Sequence, residues 1–185
     1  MATSDWFVDD GCIVAPTRER VQAAYARLVW LLESKLGWRI STRKTVGPAQ
    51  RLNFCGLELD TLGADVGGPC TRLSSERRAK CQVRLREFMQ ECIPRRRAHR
   101  REMASLVGEL SFAANAIPAG RCFLARLYGA LHETDDPEKG DAHNYDRSIR
   151  LTTPAILDLR WWDQCLEKAE CVRLWRTGSF ALHRC

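Results

Sequence analysis

The sequence predicts an α+β protein, because its apolar residues follow different periods in two parts of the chain. Before residue 60, short β-prone apolar segments alternate with turn residues and surround one helical segment. From Ser74 onward, apolar residues recur at helical spacing, with interruptions at prolines. We therefore expect a small β-rich part with one helix, followed by an all-helical part, with the division near Leu73.

The N-terminal segment has the pattern of a β-hairpin. Trp6–Val8 and Cys12–Ala15 are apolar and β-prone, and the turn cluster Asp9–Gly11 separates them. A helix is predicted to follow from Thr17, a suitable N-cap residue, to Gly37. The sequence thus predicts a hairpin that is followed directly by one amphipathic helix.

Two further β-rich segments precede the helical part. Trp38–Ser41 and Leu52–Leu59 are predicted to form short strands, because they are rich in β-prone and apolar residues. The segment from Gly63 to Pro69 contains the glycines and the proline expected in turns. These strands complete the β-rich part.

Four helices are predicted after Ser74. They cover about residues 75–92, 99–116, 123–131 and 153–168, and the polar segment 133–146 is expected to be a loop or linker. The last helix begins at Thr153, with Pro154 at the first helical position. The residues expected to face inward are Cys81, Leu85, Phe88, Cys92, Met103, Leu106, Val107, Leu110, Ala114, Phe123, Leu124, Leu127, Tyr128 and Leu131.

The positive charge is concentrated in one segment. The 185 residues carry a net charge of +6, and an apolar content of 45% excludes a disordered chain. Between Arg72 and Arg101, 11 basic and 3 acidic residues give +8, so the rest of the chain is weakly acidic. Such a segment predicts a basic face that meets phosphate groups or an acidic lipid surface. The basic residues are mostly arginine, which suits phosphate, although a GC-rich genome would produce the same bias.

The cysteines indicate a reducing compartment. Nine cysteines are scattered along the chain, are odd in number and form no C-x-x-C pair. The first residues have neither the basic nor the apolar region of a signal peptide, and the longest apolar run, 28–32, is too short to span a membrane. We expect reduced thiols in an intracellular protein of the cytoplasm or nucleus, not a secreted one, without a membrane partner.

Two adjacent carboxylates at the tip of a hairpin are an unusual pair. Asp9 and Asp10 repel each other, and the interior of a strand disfavours aspartate. Carboxylate oxygens on a rigid strand end suit a hard divalent cation, and phosphoryl-transfer sites with two metal ions use such groups. The alternative is that Asp-Asp-Gly is simply good turn chemistry.

In their order along the chain, these segments resemble the reverse transcriptases. Phe7–Asp10 looks like the aromatic-x-Asp-Asp signature of the palm hairpin, and the helix from Thr17 matches the palm helix that follows it. Further motifs resemble the thumb and connection of retrotransposon enzymes, with the tyrosine-recombinase (DIRS-like) branch as the nearest pattern. The remaining segments that carry the resemblance are Leu36–Thr45, Leu52–Asp60, Leu106–Leu110, Ala116–Arg121, Leu124–Tyr128 and Asp158–Trp162.

The resemblance implies an α+β architecture in three parts. Residues 1–72 would be the distal palm, with β-hairpins and one helix, and would include the hairpin that grips the primer. Residues 73–132 would be thumb-like helices, and residues 133–185 a connection-like linker with a C-terminal helix. The implied activity is RNA-directed DNA synthesis, with an RNA or DNA template–primer and a dNTP as substrates.

The resemblance also implies roles for individual residues. Asp9 and Asp10 would be catalytic and would bind Mg²⁺ or Mn²⁺ in the intact enzyme, and Lys44 would assist the pyrophosphate leaving group. The nucleic-acid-binding residues would be Phe54, Cys55, Gly56 and Leu57 at the primer and Arg95, Arg96, Arg97, Arg100 and Arg101 at the phosphates. Lys44 could equally be a solvated loop residue, Gly56 a bulge in a strand, and the arginines a solvated loop or a nuclear-localisation signal.

The sequence departs from the family pattern in its N-terminal part. The fingers, a second palm motif and the Asp of an earlier palm strand have no counterpart before Trp6. We therefore expect a palm and thumb fragment that is inactive alone, with an N-terminal fingers and palm segment as a partner. The alternatives are a non-catalytic, basic nucleic-acid-binding module and a pseudogene remnant.

Overall fold

The computed structural model describes residues 3–7, 10–63, 67–132, 147–168 and 171–173. It confirms a mixed α and β fold, with helices and small antiparallel sheets. The described chain divides into two compact units. The N-terminal unit runs to Thr71 and also includes Arg173, and the helical unit runs from Arg72 to Val172.

The N-terminal unit begins with a hairpin and a helix. Strand β1 (Thr3–Phe7) pairs with β2 (Asp10–Val14), and helix α1 (Arg18–Trp30) continues into a π-helical turn, Leu31–Lys35. The Thr17 side chain accepts a hydrogen bond from the Arg20 amide, which confirms it as the N-cap. The predicted turn cluster is wrong in its second half, because Asp10 and Gly11 already pair within β2.

Two more strands of this unit form a second hairpin. Strands β3 (Arg51–Phe54) and β4 (Leu57–Asp60) pair in an antiparallel register, which confirms the β-rich segment predicted there. The division between the units falls within β5 (Cys70–Leu73). The predicted strand at Trp38–Ser41 is wrong, because its backbone makes no ladder hydrogen bonds and is irregular.

The helical unit begins with α2 (Ser75–Arg95). Ser74 caps this helix through the Arg77 amide, and the four residues predicted to face inward are buried. Pro94 does not end the helix as predicted, since it lies in the last turn. The predicted basic loop is also wrong, because Arg97–His99 form strand β6 and α3 follows at once, Arg100–Ala113.

The rest of the unit packs three further helical segments on α2 and α3. A 3₁₀ helix (Pro118–Phe123) leads into α4 (Ala125–His132), and strand β7 (Ser148–Arg150) leads into α5 (Thr153–Glu167). Strand β8 is Cys171–Arg173. The cap of α5 is Thr152, so the predicted start is displaced by one residue.

The core of the helical unit consists of large side chains that are almost completely shielded from solvent. Trp162 lies at its centre against Gly120, where a Cβ atom would overlap the indole ring. The inward residues predicted on α3 are all buried, but Tyr128 on α4 is exposed and its hydroxyl lies 2.6 Å from Ser111 Oγ. The fully buried large apolar residues are Leu85, Met103, Leu106, Val107, Leu110, Leu127, Leu151, Leu159, Trp162 and Leu166.

The remaining sequence predictions concern membranes and thiols. In the part of the chain that the structure describes, no helix combines the length and the apolar character needed to cross a bilayer. The cysteines with described side chains are thiols and not disulfides. Burial raises the pKa of Cys81 to about 11, so this thiol is protonated and unreactive at neutral pH.

Candidate nucleic-acid interface

The first candidate site is the connection of the β1–β2 hairpin. Phe7 of β1 pairs with Asp10 of β2, and Val8 and Asp9 stand between them in the sequence. Asp9 lies outside the described residues, and Asp10 is the first residue of β2. The register therefore places Asp10 at the end of a two-stranded ribbon.

A divalent metal needs several oxygen ligands around one point. The donor chemistry of Asp9 and Asp10 suits Mg²⁺ or Mn²⁺, since both carboxylates are hard oxygen ligands. Among the residues that the structure describes, no three His, Cys, Asp or Glu side chains come together as a metal site. The binding of such an ion by Asp9 and Asp10 therefore stays a prediction from the sequence.

Lys44 lies on the surface of the N-terminal unit. It is the last residue of a turn that begins after Ser41, whose carbonyl oxygen accepts hydrogen bonds from the Lys44 and Thr45 amides at 3.1 Å. The Thr45 hydroxyl donates to the same oxygen at 3.0 Å. The backbone of the turn is therefore fixed while the Lys44 ammonium group is exposed.

The four residues predicted at the primer form the tight end of the β3–β4 hairpin. Phe54 pairs with Leu57, and Cys55 and Gly56 make the connection with φ angles of 51° and 81°. Two positive φ angles in a two-residue connection are typical of a type I′ turn, which matches the twist of the strands. Gly56 is therefore a turn residue and not a bulge, and all four residues are half-buried.

Asp60, at the end of β4, fixes this hairpin to the segment that follows it. One carboxylate oxygen accepts hydrogen bonds from the Leu62 and Gly63 amides at 3.0 Å, and the other accepts from Arg51 Nη2 at 2.7 Å. These amide bonds, with the Arg51 guanidinium, lower the pKa of Asp60 to about 2. Asp60 was not predicted as a site residue, although an Asp two or three residues before the amides it binds is a known turn pattern.

The basic cluster predicted from the sequence lies at the end of α2 and the start of α3. Arg95 is exposed in the last turn of α2 and lies 3.6 Å from Glu91. Arg96 caps the helix in the left-handed conformation, with φ 50°, and its Nη1 donates to the Thr153 hydroxyl at 3.3 Å. Both residues are therefore held in part by the structure of the unit itself.

The other three arginines of the cluster differ in exposure. Arg97 and Arg101 are exposed, whereas Arg100, the first residue of α3, is only 7% exposed. The Arg100 amide donates to the Arg147 carbonyl oxygen at 2.9 Å. Arg100 therefore belongs to the structural framework, and the exposed cations of this surface are the other four.

The structure adds Arg150 to this surface. Strands β6 and β7 are antiparallel, and their register pairs Arg97 with Arg150. Residues 147–150 follow the acidic segment 133–146, so the local sequence gave no reason to group them with the basic cluster. A short alternation of polar and apolar residues, Ser148–Leu151, was the signal for a strand, but it could not identify the partner.

Comparison with known proteins gives no relative for this arrangement. Neither a protein-family model, nor a curated protein, nor a solved structure matches this chain significantly.

Proposed function

We propose that this chain is the distal palm and thumb part of an RNA-directed DNA polymerase of the retroelement class. The single observation that carries the proposal is the β1–β2 hairpin, whose second strand begins at Asp10, directly after Asp9 in the sequence, and which is followed by a capped helix. The tight β3–β4 hairpin and the separate, basic helical unit support it, since both follow in the order that the motifs require.

In this proposal the N-terminal unit carries the chemistry. Asp9, supported by Asp10, would hold Mg²⁺ or Mn²⁺, ions that stabilise the charge developing in phosphoryl transfer. The exposed Lys44 ammonium would donate a proton to the departing pyrophosphate. The protein would act inside the cell, in the cytoplasm or nucleus, together with a segment that supplies the fingers and the remaining palm carboxylate.

The β3–β4 hairpin would position the primer end. Its turn contains glycine at position 56, so a phosphate backbone can approach the main chain closely there. Asp60 and Arg51 hold the strands in register, which would keep the turn in place while the primer is bound.

The experiment begins with the transcript that encodes the chain. We expect long-read sequencing to reveal an upstream reading frame with a fingers region and an Asp-bearing palm strand. The full product should extend a DNA primer on an RNA template, and Asp9→Asn should abolish extension. Asp5→Asn, a matched change within β1, should retain it. A transcript without such a frame, or extension that survives Asp9→Asn, would refute the proposal.

A second function is favoured by the position of the exposed arginines. Arg95, Arg97, Arg101 and Arg150 all belong to the helical unit, which contains neither Asp9 nor Asp10. A non-catalytic nucleic-acid-binding module would need only this unit. In that case Asp9→Asn would leave duplex binding unchanged and no polymerase activity would be found.

A further inference from the structure

The two-stranded ribbon of β6 and β7 has two different faces. Each strand alternates exposed, buried and exposed residues, and the register pairs Arg97 with Arg150 and Ala98 with Ile149. Since paired residues of an antiparallel ladder share a face, Ala98 and Ile149 pack inward while both arginines point to solvent. The exposed face of the ribbon therefore carries two cations directly opposite each other.

Like charges at directly opposed positions destabilise a strand pair. Neither Arg97 nor Arg150 makes an ion pair with a residue that the structure describes. The backbone does not allow the strands to separate, because the Leu151 amide donates to the Arg96 carbonyl and the Arg100 amide to the Arg147 carbonyl, both at 2.9 Å. The fold thus holds two arginines at opposed positions, which is expected to cost stability.

The composition around the ribbon decides which anion it suits. Segments 95–101 and 147–150 contain seven arginines and no acidic residue. They also contain no Phe, Tyr or Trp, and their one ring is the imidazole of His99, so they offer no large aromatic platform for an unpaired base. Large apolar side chains that would enter a lipid interface are absent from the exposed positions of both strands.

We infer that the β6–β7 ribbon binds the phosphate backbone of a nucleic-acid duplex through Arg97 and Arg150. Guanidinium groups fit phosphate oxygens in a bidentate geometry, and the anion removes the repulsion between the two arginines. Arg95 and Arg101, both exposed, flank β6 along the chain. Binding through the phosphates is independent of base sequence, because phosphate contacts position a protein on a duplex without reading its bases. The inference rests on the proposed nucleic-acid-binding role of the helical unit and names the residues and the ligand.

The test is duplex binding by the full chain, measured by fluorescence anisotropy with a blunt 20-base-pair DNA and the matching RNA–DNA hybrid. We expect the double variant Arg97→Ser/Arg150→Ser to bind about tenfold more weakly at moderate salt, and the slope of log K against log salt to flatten by about 2. The single variant Arg150→Ser should lower the slope by about 1, which provides an independent reading if the double variant fails to fold.

The matched control removes the same charge at the other end of α2. Arg78 and Lys80 lie about 22–26 Å along the helix from Arg95, so Arg78→Ser/Lys80→Ser should leave the affinity near that of the parent. Equal weakening in the control would show a general charge effect and overturn the assignment to the ribbon. Unchanged affinity of the ribbon variants, or binding to phosphatidylserine vesicles but not to either duplex, would overturn it as well.

The unfolding midpoint provides a second test, because arginines that only help to pack the fold would give the opposite change. Without ligand, Arg97→Ser/Arg150→Ser should raise the unfolding midpoint, because the repulsion is removed; a lowered midpoint would contradict the inference. A blunt duplex has no recessed primer end, so this assay does not depend on polymerase activity. A further outcome is that the ribbon variants lose duplex binding while no form of the protein extends a primer. That result would support duplex binding by the ribbon and reject the proposed polymerase function.

Discussion

The two units of this protein protect their apolar residues to very different degrees. The helical unit surrounds Leu106 and Trp162 completely, and its helices each bury several residues. In the N-terminal unit, helix α1 buries none of its residues, although its apolar side chains recur at helical spacing. Trp30, Leu36 and Trp38 are each more than half exposed. The same kind of pattern therefore produces a dense core in one unit and an open face in the other.

The two buried aspartates show the same difference in electrostatic terms. Asp60 and Asp158 are both 1% exposed, and each has an arginine beside it. Asp60 also accepts two amide hydrogen bonds, so its pKa is low, whereas burial raises the pKa of Asp158. Arg126 Nε lies 3.1 Å from Asp158 Oδ2 without hydrogen-bond geometry, so it offsets the burial only in part. A nearby charge thus stabilises a buried carboxylate less effectively than directed hydrogen bonds do.

The largest effect is expected from truncating the dense core. Leu106→Ala removes a side chain with no exposed surface, and the resulting cavity should reduce the free energy of unfolding by about 2–5 kcal/mol. Leu36→Ala, the same change at a side chain that is 54% exposed, should cost less than about 0.5 kcal/mol. Urea unfolding followed by circular dichroism measures both. A large cost at Leu36 would show that this face is covered in solution, and the comparison between the units would fail.

The contrast explains how much of the fold could be predicted from the sequence. On α2 and α3 the inward residues were predicted correctly, because a helix that must bury one stripe repeats its apolar residues every three to four positions. Tyr128 was wrongly predicted to face inward. Helical periodicity does not show whether a tyrosine ring is buried or lies at the surface, where its hydroxyl forms a hydrogen bond with Ser111. The strand at Trp38–Ser41 was wrong because β-prone residues do not by themselves supply a pairing partner.

The candidate sites were less predictable than the helices. The pairing of Arg97 with Arg150 joins segments about fifty residues apart through strands of three residues, and no local pattern encodes such a contact. Arg100 carries the same charge as its neighbours, yet its burial depends on how α3 packs. The β1–β2 hairpin was predicted from the sequence, because two β-prone segments on either side of turn residues are a local feature, whereas the roles of Asp9 and Asp10 stay predictions.

A medium-sized effect is expected from pH, with opposite signs in the two units. Asp60 has a folded pKa of about 2, below its unfolded value, so its contribution is present above about pH 4 and is lost as the pH falls toward 2. Asp158 has a raised pKa, so its contribution is present below the unfolded pKa and is lost as the pH rises through the folded value. Asp60→Asn should therefore reduce the free energy of unfolding most at neutral pH. The free energy of unfolding of Asp158→Asn should rise relative to that of the parent as the pH rises.

Urea midpoints between pH 2 and pH 8 for the parent and both variants separate these cases. The urea midpoint of Asp60→Asn should approach that of the parent as the pH falls toward 2. The urea midpoint of Asp158→Asn should rise relative to that of the parent at pH values above the unfolded pKa. Parallel pH profiles for the two variants would contradict the opposite electrostatic roles inferred for the two carboxylates.

The smallest effect is expected at the turn of the β3–β4 hairpin. Cys55 has a φ of 51°, a left-handed conformation that asparagine adopts more readily than cysteine, and Gly56 already meets the same demand at the next position. Cys55→Asn should therefore raise the free energy of unfolding by a few tenths to about 1 kcal/mol. Cys122→Asn, at an exposed cysteine of the 3₁₀ helix without positive φ, should give no such gain. If Cys55→Asn destabilises the protein instead, the contacts of the thiol stabilise the fold by more than the strain of its backbone destabilises it. The N-terminal unit would then depend on packing at this hairpin, as the helical unit does throughout.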